Sequence, residues 1–180
     1  ASKSPAPGET ITVDYASAGG SALSGTDFTA VSGTLTYTNG GALTQAISVP
    51  IARDNIDEFD ESFTVTLSNA VNGLISTGTG TGTILDDDTA VVSVNNVSQA
   101  EGNSGSAPMT FTVSLSVPAS TARFYGAFTG DGSAVAPGDY TALPLGPTIV
   151  NFAPGETSKT VAVQINGDTV VEADETFTLN

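Results

Sequence analysis

Cysteine, histidine and tryptophan are all absent from this chain of 180 residues, and only four residues are basic. Without cysteine there is no disulfide framework, no thiolate nucleophile and no thiolate metal site. Without histidine the commonest general base and the commonest metal ligand are both missing. Lacking tryptophan, an aromatic platform for sugar stacking would rest on four Tyr and eight Phe. The four basic residues stand against nineteen acidic ones, a net charge of −15. That balance excludes the basic face that nucleic acid requires and any electrostatic attraction to an anionic membrane. No apolar run approaches the ~20 residues needed to cross a bilayer, and no signal peptide is evident. Ala1–Pro5 reads as an internal start, with any targeting signal lying upstream.

A hydrophobic content of 39 % is enough for a core, so global disorder is not expected. The apolar pattern has period two: Ile11, Val13 and Tyr15, then Ile47, Val49 and Ile51, then Phe63, Val65 and Leu67. Each run is bounded by Gly, Asn, Asp or Pro, the signature of half-buried strands joined by turns. No amphipathic helix is evident. The prediction is an all-β chain, an antiparallel β-sandwich.

The acidic residues are clustered. Asp54, Asp57, Glu58, Asp60 and Glu61 form one stretch, and Asp86, Asp87 and Asp88 another about thirty residues on. Adjacent carboxylates repel one another, and a fold that brings the stretches together leaves oxygen ligands in need of a cation. Oxygen-only ligation points to calcium before zinc or copper.

A longer period is also present. Pro5-Ala6 matches Pro118-Ala119, Gly25–Phe28 matches Pro137–Tyr140, Ile47–Ile51 matches Val161–Ile165, and Asp54–Phe63 matches Asp168–Phe177. One module recurs at a spacing of roughly 113 residues. The division is 1–89 and 90–180, with truncated outer edges. The first copy lacks a counterpart of residues 90–117, and the second ends within the strand matching Phe63–Leu67. Such open edges invite pairing with neighbouring modules of an array or with a second copy of the chain. A third arrangement has 90–117 completing the first module.

The order GTDF, GTLTY, ISVPI, D-x-I-x-E-x-x-E-S-F and GTGTILDDD resembles the Calx-beta family. The second copy reads PGDY, VNFAPGETSKTVAVQI and GDTVVEADETF. The resemblance implies an immunoglobulin-like sandwich of about seven strands, holding Ca2+ with the loops at one end. Carried onto the first module, the implied ligands are Asp27, Asp54, Glu58, Asp86, Asp87 and Asp88, with the carbonyl of Ile56. In the second they are Glu101, Asp139, Asp168 and Glu172, with the carbonyl of Val170. One or two ions are expected in the first module, and the second, short of its Asp triplet, is expected to be the weaker site. Arg53 stands beside Asp54 and can neutralise part of the first cluster.

Other features have simpler readings. Glu61 and Glu175 share parity with Phe63 and Phe177, so a structural hydrogen bond at the strand mouth is expected. Asp57 reads as a solvated turn residue, and Asp27 and Asp139 double as turn-capping carboxylates. The Thr77–Thr83 row, alternating with Gly, suggests an ice- or sugar-binding face, but a strand thinned for close packing explains it better. Phe124, Phe128, Tyr140 and Phe152 are expected in the core, with Tyr125 out of phase and exposed. Lys3 and Lys159 are candidates for isopeptide bonds of the kind found in some bacterial adhesins. A catalytic cleft between two carboxylates is not indicated. The expected function is a calcium-binding structural or adhesive module of a large secreted or cell-surface protein, with calcium rigidifying the loop end and the module junction. The alternatives are a calcium sensor of a larger membrane protein and a carbohydrate-binding accessory domain.

Overall fold

The computed structural model describes residues 4–146 and 148–180. Lys3 lies outside the described residues. The chain divides into two compact units, one of residues 1–54 and 59–86, the other of 55–58 and 87–180. Eleven strands and no helix occur among the described residues, and every named ladder is antiparallel.

The first unit holds β1 (Thr10–Gly19), β2 (Ser32–Thr38), β3 (Glu61–Val71) and β4 (Thr79–Ile84) in one sheet of order β2-β1-β3-β4. Alternation along β1 and β3 turns Val13 and Phe63 inward. Phe63 stacks on Phe28 at 4.9 Å and, with Ala22, forms the core of the unit. Gly82 on β4 lies directly over the Phe63 ring, where any Cβ would collide with it. The Gly-Thr run is therefore thinned for packing, and Thr79, Thr81 and Thr83 point to solvent.

The second unit holds β5 (Val92–Val94), β6 (Ser106–Leu115), β7 (Arg123–Gly126), β8 (Thr129–Asp131), β9 (Ile149–Phe152), β10 (Ser158–Asn166) and β11 (Phe177–Leu179). These pair as β10-β6-β5, β11-β8 and β7-β9. The repeat is visible in three dimensions. Strands β7 and β8 together match β1, β9 matches β2, and β11 matches the start of β3. Tyr140 stacks on Phe177 at 4.5 Å, as Phe28 does on Phe63. Strand β6 places Met109 and Phe111 against Val163 and Ile165 of β10, and Ala134 and Tyr140 complete that core cluster. Residues 90–117 thus lie in the second unit.

Two expectations are corrected. Ile47–Ile51, predicted as a strand, joins no ladder; only Ile51 bridges to Phe28. Its counterpart in β10 is held by β6, and the first unit contains no matching strand among the described residues. On β7 the phase is the reverse of that expected. Tyr125 packs edge-on against Phe152 at 6.1 Å, while Phe124 is 65 % exposed. Tyr125 shares parity with buried Ala127, so period two sends Phe124 outward.

Candidate metal centre

In the second unit the loop before β9 turns on Asp139. Its amide donates to the Val135 carbonyl at 3.2 Å, and its Oδ2 accepts the Val135 amide at 2.6 Å. Buried Tyr140 anchors the next position, its hydroxyl donating to Asp131 Oδ1 at 2.5 Å. At the end of β10, Asn166 clamps the same loop. Its backbone amide donates to the Asp139 carbonyl at 2.8 Å, and its side chain donates to the carbonyls of Pro137 and Gly138 at 2.8 and 3.2 Å.

The acidic segment before β11 is fixed at both ends. Asp168 Oδ1 accepts the Val170 amide at 2.6 Å, an Asx turn that starts the run. At its far end, Thr176 donates to Ser133 Oγ at 2.9 Å, and Ala134 donates to the Thr176 carbonyl at 3.0 Å. These bonds lay the segment beside the Asp139 loop. Carboxylate oxygens of Asp139, Glu172 and Glu175 come within 4.8 Å of one another. Gly167 lets the Glu101–Gly102 backbone approach, since a Cβ there would fall 2.6 Å from the Glu101 carbonyl.

The crowding has an electrostatic signature. Partial desolvation pushes the Glu172 carboxyl up from its ordinary value, reinforced by the charges of Asp168, Asp139 and Glu101. Glu175 is also pushed up, by desolvation and then by Asp139 and Glu172, and it hydrogen-bonds to Asp139. Of the basic residues, Arg123 is engaged by Asp57 at 2.7 Å and Lys159 by Glu156 at 2.8 Å. The donor set is oxygen only, which suits a hard divalent cation.

The first unit repeats this scaffold. The Leu23 amide donates to Asp27 Oδ2 at 2.5 Å, Ala52 donates to the Asp27 carbonyl at 2.9 Å, and Ser62 donates to Ser21 Oγ at 2.9 Å. Carboxylate oxygens of Asp27 and Glu61 lie within 4.8 Å of each other.

Comparison with known proteins gives the frame for this geometry. The family model described as Calx-beta domain matches residues 2–88 and again residues 86–180. The chain belongs to the Calx-beta family. Its two units are tandem Calx-beta domains of the immunoglobulin-like antiparallel sandwich class, a family of binding and regulatory modules. Similar solved structures include CBD12 from CALX1.2, 24 % identical over 95 % of this chain and 67 % of that one, with a TM-score of 0.43. Another is the apo-form Calx CBD1 domain, 32 % identical over 44 % of this chain and 71 % of that one, with a TM-score of 0.40. The calcium binding domain CBD12 of CALX1.1 is 23 % identical over 85 % of this chain and 61 % of that one, with a TM-score of 0.42. Curated protein sequences give no match.

The expected ligands of this Calx-beta pair are distributed unevenly. Asp139 and Glu172 are brought together; Asp168 and Glu101 act on Glu172 by charge; Val170 is exposed beside the Asx turn. Asp27 sits in its capped turn in the first unit. Asp54 is exposed, whereas Ile56 and Glu58 are half-buried on the 55–58 segment that clusters with the second unit. Asp86 ends the first unit, its amide donating to Asp60 Oδ1 at 3.0 Å. Asp87 and Asp88 open the second unit. Among the described residues, neither Asp54 nor any member of the triplet belongs to a group of three carboxylates as close as that of Asp139.

Two carboxylates assigned a structural role from parity, Glu61 and Glu175, stand in these groups. Their position at the mouth of the strand, two residues before Phe63 or Phe177, is the signal: it places them level with the capped turn of Asp27 or Asp139. Asp57, expected in solvent, is instead paired with Arg123, because the 55–58 segment runs beside Ala119 and not out into water.

Proposed function

We propose that this tandem Calx-beta chain is a calcium-binding structural module of a large secreted or cell-surface protein. The observation that carries the proposal is the convergence of Asp139, Glu172 and Glu175, whose carboxylate oxygens lie within 4.8 Å of one another. Asp168, Glu101 and the Val170 carbonyl are further candidates for the shell, and Asp27 with Glu61 is the corresponding pair in the first unit. Calcium accepts six to eight oxygen ligands at flexible geometry, so carboxylates on three separate segments suit it. When bound, the ion supplies charge neutralisation. The protein's part is to hold the Asp139 turn by the Asn166 clamp and to bring the 168–175 segment beside it.

The role is stiffening. An ion bound only to the folded form stabilises it by mass action, about 2.7 kcal/mol at a hundredfold excess over Kd. Neighbouring modules of an array are the proposed partners, and the Lys-poor composition with its Gly, Thr, Ser and Asp bias supports an exterior setting. The carbohydrate-binding alternative needs Tyr125 exposed together with the Thr row, and Tyr125 packs on Phe152 instead.

The test is a thermal melt in chelator and again in millimolar calcium, with magnesium as control. A calcium-specific rise that disappears in Asp139→Ala supports the proposal. An unchanged melt in wild type refutes it and leaves the acidic clusters as solvated surface.

A further inference from the structure

The second unit clamps the Asp139 turn with an Asn-Gly pair, and such a pair is chemically reactive. Asn-Gly occurs three times in the chain, at 39–40, 72–73 and 166–167. In each the following residue lacks a Cβ, so its amide nitrogen can reach the asparagine side chain. Attack of that nitrogen on Cγ closes a succinimide ring and breaks the bond from Cγ to Nδ2. The side-chain nitrogen leaves as ammonia, taking up the proton of the attacking amide. Water then opens the ring to aspartate or isoaspartate. The reaction needs a backbone amide released from its hydrogen bond and a side chain free to turn.

At Asn166 the fold denies both. The Gly167 amide donates to the Gly105 carbonyl at 2.9 Å, and the Asn166 side chain is committed to the carbonyls of Pro137 and Gly138. Asn166 and Gly167 are half-buried, whereas Asn72 and Gly73 are exposed. Asn72 Nδ2 donates to the Thr10 carbonyl at 2.9 Å, but the Gly73 amide makes no hydrogen bond among the described residues. Neither member of the 166–167 pair is exchangeable. Two carbonyls accept from the Asn166 side chain, and a Cβ at 167 would fall 2.6 and 2.7 Å from the Glu101 and Gly102 carbonyl oxygens. The first unit makes the same backbone bond to its capped turn through Ala52, which Arg53 follows, so it carries no such pair.

The bonds that protect the pair are made to the segments that carry the acidic cluster. Gly105 lies four residues past Glu101, Pro137 and Gly138 immediately precede Asp139, and Gly167 immediately precedes Asp168. The charges of Glu101, Asp139 and Asp168 all act on Glu172. Without a cation their repulsion works against the same three contacts that hold Asn166 and Gly167; a bound cation removes it. We propose that Asn166–Gly167 is a deamidation site gated by the metal centre, closed while calcium is bound and opened by its loss. The inference rests on the calcium reading above. Deamidation would leave a carboxylate facing the Pro137 and Gly138 carbonyls, acceptor against acceptor, so the clamp could not close again. Loss of the ion, otherwise reversible, thereby becomes permanent in the second unit.

The test incubates the 180-residue chain at mildly alkaline pH in calcium, in chelator and in urea, and follows conversion of Asn72 and Asn166 by peptide mass spectrometry. In urea the two should convert at comparable rates, since their local chemistry is the same. In calcium Asn166 should lag well behind Asn72. Opening that requires release of the ion is suppressed in proportion to the excess of ligand over Kd, so chelator should speed Asn166 by up to about a hundredfold at hundredfold excess. Asn72 should not change. An Asn166 rate that matches Asn72 in the folded chain overturns the proposal, and so does a ratio of the two rates that is the same in calcium and in chelator. A thermal melt of the same samples separates the causes. A calcium-specific rise with an unchanged ratio confines the failure to the gate, and no rise places it in the calcium reading, which takes the gate with it.

Discussion

Asp57 Oδ1 accepts a hydrogen bond from Arg123 Nη2 at 2.7 Å, closing an ion pair between residues 66 apart in sequence. The other carboxylate oxygen accepts the Ala90 amide at 3.0 Å. The Asp57 amide and carbonyl bond to Pro118 and Ser120, so backbone and side chain are both committed. One acidic residue thereby organises the start of the second unit.

Asp57→Ala is expected to destabilise the second unit by about 1–2 kcal/mol, since it leaves the Ala90 amide and the Arg123 guanidinium without their acceptor. The Ala90 amide, then Arg123, hold the Asp57 carboxyl below the usual carboxylate range. Its contribution is therefore present above the ordinary carboxylate pKa and is lost as pH falls through the lowered folded value. Urea melts of wild type and Asp57→Ala should differ at neutral pH and converge in strong acid. Equal midpoints at neutral pH would contradict the role.

Glu172 and Glu175 have the opposite sign. Their folded carboxyls are pushed up, so the fold holds their protons to higher pH than the unfolded chain does. The stability this gives is present at low pH and is lost as pH rises through the ordinary value toward the folded one. In chelator, calorimetric melts of the second unit should therefore rise as pH is lowered from neutrality toward the ordinary carboxylate range. Saturating calcium, neutralising the same carboxylates, should flatten that dependence. A pH-independent melt in chelator would count against the crowding.

Gly82→Ala places a methyl group in the Phe63 ring. The ring is pinned by its stack on Phe28, so overpacking should cost the first unit about 1–3 kcal/mol. A denaturant melt that resolves the two units reads this directly. An unaffected first unit would show that the ring has room to move.

Tyr140→Phe removes the hydroxyl that donates to Asp131 and leaves the ring stack on Phe177 intact. The first unit already carries Phe28 at this position, so the fold tolerates the change. The expected loss is about 1 kcal/mol in an equilibrium melt of the second unit. A loss several times larger would mean that the hydroxyl holds the Asp139 turn as well as Asp131.

The features legible in the sequence are those set by local chemistry. An Asp four residues past the apolar position it caps turns the chain the same way in both units, as Leu23–Asp27 and Val135–Asp139 show. The alternation of β1 and the Gly-Thr thinning of β4 are likewise local. What escaped reading depends on partners distant in sequence. Ile47–Ile51 has the strand pattern but needs a β6-like neighbour to become a ladder. Asp57 finds its cation far along the chain. Tyr125 and Phe124 are adjacent aromatics, and which one faces inward is decided by Phe152 on β9. Glu61 and Glu175 read as strand-mouth residues because their proximity to Asp27 and Asp139 arises only when the acidic segment folds beside the capped turn.

Calcium titration of the chelator-treated 180-residue chain by isothermal calorimetry tests the central claim most directly. The expected result is saturable binding of calcium and not of magnesium at matched concentration, with at least one site lost in both Asp139→Asn and Glu175→Gln. Absence of binding heat at several temperatures, or binding that survives both substitutions unchanged, would contradict calcium ligation by Asp139, Glu172 and Glu175.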